Sequence, residues 1–134
     1  MKWIKTYKLF ESNTDDVILN VKDILLPISD MGYEISVDEG IYYKQFSDSE
    51  LVIRVVTYVD KPLLITDEVK DEFIRMKDYL QSEGYNSIEA HYYLQVPFNY
   101  TVSKSGGKSV EELDKFITVK EPIVNLLFNA KKIL

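Results

Sequence analysis

The chain has 134 residues, 46% of them apolar, which suffices for one domain with its own hydrophobic core and disfavours disorder. It contains no cysteine and one histidine, which excludes disulfides, thiolate metal sites, cysteine nucleophiles and multi-histidine zinc sites. A net charge of −6 argues against a protein that wraps duplex DNA, although a local basic strip is compatible with it.

No apolar run approaches the roughly 18 residues that a membrane-spanning helix needs. The first residues lack the uninterrupted apolar segment and the small-residue cleavage site of a signal peptide. We therefore expect a soluble, cytoplasmic protein with no membrane partner. Nothing in the sequence predicts a metal or a cofactor.

Residues 1–12 give an ambiguous pattern. Trp3, Tyr7 and Phe10 have helical spacing, whereas the β-branched and aromatic content of residues 2–10 favours a strand. We interpret residues 2–10 as a first strand, with a loosely ordered leader over residues 1–12 as the alternative, and the whole chain as a single α+β domain.

The first helix begins at Asn13 or Thr14, either of which can cap it. Acidic residues fill its first turn, where the helix dipole favours them, and apolar residues recur on one face. Pro27 must bend or end this helix, because proline removes a backbone hydrogen bond and clashes with the preceding turn. Gly32 then terminates the element.

Extended segments and a second helix follow. Short connections at residues 39–40 and 47–49 suit hairpins between these segments. The second helix is capped by Thr66 or Asp67 and is stopped by Gly84. The predicted strands are residues 33–38, 41–46 and 51–59.

Residues 88–102 alternate between apolar and polar side chains, which predicts a strand with one buried and one solvated face. Such a strand would reach about 50 Å, whereas a globule of this size has a radius of gyration of about 14 Å. The strand must therefore bend or break, and Pro97 is the natural place for this. The solvated face is the candidate functional surface.

Two signals predict helices near the C-terminus. Ser109 and Glu112 have the spacing of a capping box, and Pro122 suits the first turn of a last helix towards Leu134. We therefore predict a C-terminal helical appendage over residues 109–134.

These elements predict an α+β fold, a two-layer sandwich in which an antiparallel sheet has its helices mainly on one face. If the segments around Gly40 form one bent strand, the core is a ferredoxin-like βαββαβ unit with C-terminal helices added. Residues 51–59 are apolar on both faces, so we expect part of the second face to be covered by those helices or by a second copy in a homodimer.

The segment 103–109 lies between a predicted strand and a predicted helix and ends like a phosphate-binding P-loop. The position of the first glycine that this motif requires is occupied by Val102, so we interpret the segment as a flexible loop. Amide groups at the helix N-terminus are still expected to hold an anion weakly. The candidate anion-binding residues are Gly106, Gly107, Lys108 and Ser109.

His91 is the only side chain with an unperturbed pKa near neutrality, and it shares the polar face of its strand with Glu89 and Tyr93. Alternation alone supplies neither a nucleophile nor an oxyanion donor, so no catalytic residue is assigned. Tyrosines on the predicted strands suit sheet packing and also recognition surfaces. The candidate binding surface comprises Tyr42, Lys44, Arg54, Glu89, His91, Tyr93 and Gln95.

Three segments carry a resemblance to known proteins: Met1 to Ser12, Val21 to Leu26 and Met31 to Val37. Together they resemble the opening third of small uncharacterised proteins of tailed bacteriophages. The resemblance supplies no catalytic residues. It implies a phage-encoded accessory or virion-associated protein, found in the host-cell cytoplasm or in the virion.

Acidic charge and tyrosine content favour a non-enzymatic protein-binding protein whose partner is a host protein, a virion neighbour or a second copy of the chain. A first alternative is a single-stranded nucleic-acid-binding protein that stacks bases on Tyr42 or Tyr93, although the net charge disfavours it. A second alternative is a small-ligand or enzymatic site around His91.

Overall fold

A computed structural model describes residues 13–40, 50–58, 60–94 and 108–133. Within these residues the protein is α+β, with four helices and a five-stranded, open, antiparallel sheet. The leader at residues 1–12, the predicted strand at 41–46 and the segment 95–107 that contains Pro97 lie outside the described residues.

The helices are α1 (Asn13–Ile24), α2 (Leu26–Asp30), α3 (Asp67–Ser82) and α4 (Leu113–Phe116). The strands are β1 (Glu34–Glu39), β2 (Leu51–Val56), β3 (Ser87–Leu94), β4 (Ser109–Glu112) and β5 (Ile123–Lys131).

The predicted first helix is confirmed, and Pro27 ends it rather than bending it. Leu25 separates α1 from α2, and Pro27 occupies the first turn of α2, where proline needs no backbone donor. Gly32 follows α2 with a φ of +101°, a left-handed conformation that glycine adopts without strain.

The second predicted helix is confirmed as α3. The side-chain oxygen of Thr66 accepts a hydrogen bond from the backbone N–H of Val69 at 3.3 Å, which caps the helix. Apolar residues at helical spacing are buried along one side of α3, and Phe73 and Leu80 are fully buried.

The strand order in the sheet is β1-β2-β5-β3-β4, and each neighbouring pair is antiparallel. The last strand in the chain is therefore the central strand of the sheet. β2 and β3 lie on either side of β5 and run in the same direction, with α3 connecting them.

The prediction of a C-terminal helical appendage is wrong. Residues 109–112 form β4, which pairs with β3, and residues 123–131 form β5. α4 is the one helix described there, and it has only four residues. The apolar run after Pro122 is buried on both faces of the sheet, and such a run cannot be told from a buried helix by its pattern.

Buried residues of the helices and of one sheet face form a single hydrophobic cluster. At its centre the ring centroids of Phe128 and Phe73 lie 4.9 Å apart in an edge-on arrangement, and those of Phe128 and Phe116 lie 5.5 Å apart. Such edge-to-face pairs add to the free energy gained from burial of the rings. The predicted buried face of β3 is confirmed at Ile88, Ala90 and Tyr92.

The other face of the sheet, called the second face below, carries two rows of cross-strand partners, which lie on the same side of a sheet. One row is Ser36, Arg54, Leu127, His91 and Val110, and the other is Asp38, Val52, Asn129, Glu89 and Glu112.

Exposure varies over the second face. Val110 is 49% exposed and Arg54 is exposed, whereas Val52 and Asn129 are completely buried. The prediction that part of this face is covered is therefore confirmed at Val52 and Asn129. The predicted C-terminal helices are not the cover, because that segment forms β4 and β5 of the sheet.

Candidate functional site

The first row brings side chains of all five strands together on the second face. Arg54 of β2 and His91 of β3 are both register partners of Leu127 on the central strand, so they flank it from opposite sides. Val110 of β4 is in turn the register partner of His91. A polar patch with an apolar centre results.

A β-bulge shapes the sheet beside this row. Between the Leu127–His91 pair and the Val124–Tyr93 pair, β5 has two residues where β3 has one. A bulge of this kind bends its strand and changes the direction of neighbouring side chains, and bulges often occur beside functional sites.

Asn125 provides the backbone conformation of the bulge. Its φ is +55°, in the left-handed region that asparagine tolerates better than most side chains. Its backbone N–H donates a hydrogen bond to the Thr57 hydroxyl at 2.8 Å. The bulge is thereby attached to the residue that follows β2.

A pocket of about 210 Å³ opens on the second face beside the bulge. This volume is smaller than the roughly 300–1,000 Å³ of typical small-molecule sites, so the pocket suits a group of side-chain size. Leu127 and Asn125 contribute to its wall. The other polar side chains that line it are Arg54, Thr57, His91, Tyr93 and Lys108.

Burial is the main cause that lowers the pKa of His91 below its usual value of 6.5, and the positive charge of Lys108 lowers it further. The carboxylate of Glu89 opposes both effects, with its Oε1 atom 3.7 Å from Nε2 of His91. Lys131 also lowers this pKa, and its Nζ lies 3.5 Å from the same oxygen. The imidazole is therefore neutral at pH 7.

β4 positions Lys108 and Val110, and β4 is itself attached to β3 through a side chain. The hydroxyl of Tyr92 donates a hydrogen bond to the Glu111 carboxylate. Burial and this hydrogen bond raise the pKa of Tyr92 to about 12. The phenol therefore keeps its proton, and the hydrogen bond persists, throughout the physiological range.

A second contact connects Asn129 on β5 to Glu50, the residue before β2. The buried Asn129 donates a side-chain hydrogen bond to the Glu50 carboxylate, with Nδ2 and Oε1 3.0 Å apart. A buried amide and its charged partner specify this register, because a shifted pairing would leave the amide unsatisfied.

The structure brings together residues from two separate sequence predictions. Arg54, His91 and Tyr93 of the predicted binding surface line one pocket with Lys108 of the predicted anion-binding loop. Glu89 lies next to His91 on the same face. Tyr42, Lys44, Gln95, Gly106 and Gly107 lie outside the described residues.

The prediction of a helix N-terminus at Ser109 is wrong. Ser109 is the first residue of β4, and its backbone takes part in pairing with Tyr92 of β3. The spacing of Ser109 and Glu112 is the same in a capping box and in a four-residue strand. Of the predicted anion-binding residues, Lys108 is the one whose side chain lines the pocket within the described ranges.

Asn125 and Thr57 were not predicted as site residues. The isolated asparagine in an apolar run is a weak signal for a bulge, because asparagine is depleted in strands and tolerates positive φ. Its place beside the pocket depends on the pairing of β3 with β5, which no local pattern reveals.

Among the described ranges, no group of three or more histidine, aspartate or glutamate side chains is placed to hold a metal ion. The helices in the same ranges are all too short or too polar to cross a membrane. Comparison of the chain with protein-family models, curated proteins and solved structures finds no match.

Proposed function

We propose that the protein is a non-enzymatic protein-binding module that engages its partner through the second face of the sheet. The observation that carries this proposal is the pocket in that face, to which β2, β3, β5 and the residue before β4 all contribute. Val110 beside it is 49% exposed, so apolar contact area adjoins the polar groups, as in protein interfaces.

The chemistry of the pocket favours binding over catalysis. Among the described residues of the pocket, Thr57 carries the one aliphatic hydroxyl. This hydroxyl accepts a hydrogen bond from the backbone N–H of Asn125, and Thr57 is 8% exposed. That role is structural, and it does not provide a nucleophile activated by His91. An enzymatic site around His91 would show a turnover that His91→Ala abolishes.

Single-stranded nucleic-acid binding is the competing proposal. Tyr93 lines the pocket with Arg54 and Lys108, and an aromatic ring beside cations suits base stacking. Against it, Glu89 and Glu112 face each other across β3 and β4 on the same surface. These carboxylates would repel a polyphosphate backbone, so we favour a protein partner.

Further parts of the proposal concern origin and assembly. The resemblance to phage proteins supports a phage-encoded accessory protein of the host-cell cytoplasm or the virion, with a host protein, a virion neighbour or a second copy as partner. The complete burial of Val52 and Asn129 on the second face is compatible with a homodimer built elsewhere on the surface.

The single hydrophobic cluster that joins the helices to one sheet face supports a two-layer sandwich. The arrangement of β2 and β3 around β5, with α3 between them in the chain, supports a relation to ferredoxin-like folds, which contain such split units. In that relation, the strand order and the edge position of β4 would be additions to the ferredoxin-like arrangement.

Affinity capture from the native cells tests the proposal. The tagged chain is captured at about 50 and 300 mM salt, because phosphate-driven binding weakens by orders of magnitude over such a range. A stoichiometric protein recovered at both salts supports the binding module. Nucleic acid recovered at low salt alone would replace it with the competing proposal.

A further inference from the structure

The pocket of the second face collects positive charge within an acidic chain. Arg54 and Lys108 are exposed, line the pocket, and form no ion pair with any residue of the described ranges. Lys108 is close enough to His91 to lower its pKa. Two full charges and an imidazole therefore meet in a small space although the net charge of the chain is −6.

We propose that this pocket is an oxyanion subsite that receives a carboxylate side chain from an acidic segment of the protein partner. The inference rests on the proposed function and names the chemistry of the partner. The guanidinium of Arg54 matches a carboxylate in a two-point hydrogen-bonded geometry, and Lys108 adds charge. The imidazole of His91 lines the same pocket.

The size of the pocket selects the group. About 210 Å³ accommodates an aspartate or glutamate side chain, whereas small-molecule pockets that hold cofactor-sized ligands occupy roughly 300–1,000 Å³. Val56 and Leu127 line the pocket as well, and they can contact the methylene groups of such a side chain.

The surroundings of the pocket discriminate against a nucleic acid. Glu89 and Glu112 are cross-strand neighbours on the second face, Asp38 is at the other end of their row, and Glu50 accepts a hydrogen bond from Asn129 of that row. A polyphosphate that placed one phosphate in the pocket would bring the next ones close to these carboxylates. The carboxylates of an acidic peptide lie on flexible side chains that can turn away from these groups, whereas the phosphates of a nucleic acid are part of its backbone.

Binding of a carboxylate is coupled to the protonation of His91. The groups that face this imidazole are Arg54 on β2, Glu89 on β3, Lys131 on β5 and Lys108 before β4. Tyr93 lines the same pocket. An incoming carboxylate adds negative charge beside His91 and favours the imidazolium, so affinity rises as the pH falls through the pKa of His91.

The test follows the His91 ring by NMR while the full chain is titrated with a capped hexaglutamate peptide. Its hexaglutamine counterpart and an oligothymidylate of equal length serve as comparison probes. We expect hexaglutamate to raise the pKa of His91 and hexaglutamine to leave it unchanged. An unchanged His91 with hexaglutamate, or tighter binding of oligothymidylate, would overturn the carboxylate assignment.

Substitutions in the pocket test whether the NMR response of His91 reports binding at this site. Loss of one charge-assisted hydrogen bond in Arg54→Gln or Lys108→Gln is expected to weaken hexaglutamate binding about tenfold. Lys22→Gln, an exposed change on α1, is the matched control and should bind as the wild type does. Equal affinity of all three variants would overturn the inference.

The same variants separate this inference from the proposed function. A protein partner captured equally well by the wild type and by an Arg54→Gln/Lys108→Gln double variant would overturn the carboxylate subsite and leave the protein-binding module intact. Capture of no protein by the wild type would remove the module itself. Capture that the double variant loses and Lys22→Gln retains supports both.

Discussion

The Nε2 atom of His91 and the Oε1 atom of Glu89 lie 3.7 Å apart on the second face of the sheet. The same oxygen lies 3.5 Å from Nζ of Lys131, so Glu89 stands between an amine and an imidazole. Burial and the charge of Lys108 still keep the pKa of His91 below 6.5. The protonation state of this histidine therefore reports on the charges in the pocket.

Protonation of His91 is expected to destabilise the fold. Its pKa in the folded protein is lowered from 6.5, so the unfolded chain binds this proton first as the pH falls. The contribution of the neutral imidazole to the free energy of unfolding is complete above pH 6.5 and is lost as the pH decreases through the folded-state pKa of His91. Urea unfolding from about pH 7.5 to 5.0 should therefore show a steeper decline for the wild type than for His91→Gln. Equal slopes would be inconsistent with a lowered pKa.

Two neighbouring substitutions should move the pKa of His91 in opposite directions. Lys108→Gln removes a positive charge and is expected to raise it, whereas Glu89→Gln removes a negative charge and is expected to lower it. NMR titration of the imidazole signals measures both, with Lys22→Gln on α1 as a control that leaves the value unchanged. Shifts of the same sign in both variants would show that conformational change, not charge, determines the pKa.

The left-handed Asn125 makes the bulge sensitive to the residue type. Asn125→Val places a β-branched side chain at positive φ and is expected to cost about 1–2 kcal/mol of the free energy of unfolding. Asn125→Gly adopts this conformation freely and should stay within about 0.5 kcal/mol of the wild type. Denaturant titration distinguishes them, and equal stabilities of the two variants would argue against a left-handed residue here.

Phe128 is buried at the centre of the sheet against Phe73 and Phe116. Phe128→Ala is expected to cost about 3–5 kcal/mol, because it removes apolar area and leaves a cavity. The exposed Val110→Ala should change the free energy of unfolding by no more than about 0.5 kcal/mol. If thermal and urea unfolding gave a small loss for Phe128→Ala, β5 would not be the central strand.

Helices α1 and α3 were predictable because their signals are local. Thr66 caps α3 through its own side chain, and a run of apolar residues at helical spacing defines the buried side. The buried face of β3 was predictable for the same reason, since alternation is read directly from the sequence.

Strands β4 and β5 were not predictable, because long-range pairing determines them. The run from Ile123 to Ala130 is mostly apolar and pairs with a strand on each side, and Pro122 suits the start of a helix as well as of a strand. Ser109 and Glu112 have the spacing of a capping box, yet their backbone pairs with β3.

The residues of the pocket also divide into those that the sequence predicted and those whose position depends on long-range strand pairing. His91 and Tyr93 were predicted from alternation, since each points away from the buried side of β3. Arg54 was predicted as a cationic residue on a strand, not from alternation. The position of Lys108 next to them depends on β4, and the role of Asn125 depends on the bulge in β5. Both come from tertiary pairing, which a single sequence does not encode in any local pattern.

The most direct test of binding through the second face is the equilibrium affinity for the captured partner of wild type, Val110→Asp and Leu19→Asp. Val110 on β4 is 49% exposed and Leu19 on α1 is 60% exposed, so the two changes add the same charge at comparably accessible positions. We predict at least about a tenfold loss for Val110→Asp, as expected for a contact worth more than 1.4 kcal/mol, and wild-type affinity for Leu19→Asp. Wild-type affinity of Val110→Asp together with a loss in Leu19→Asp would contradict binding through the second face and would assign the interface to the helices.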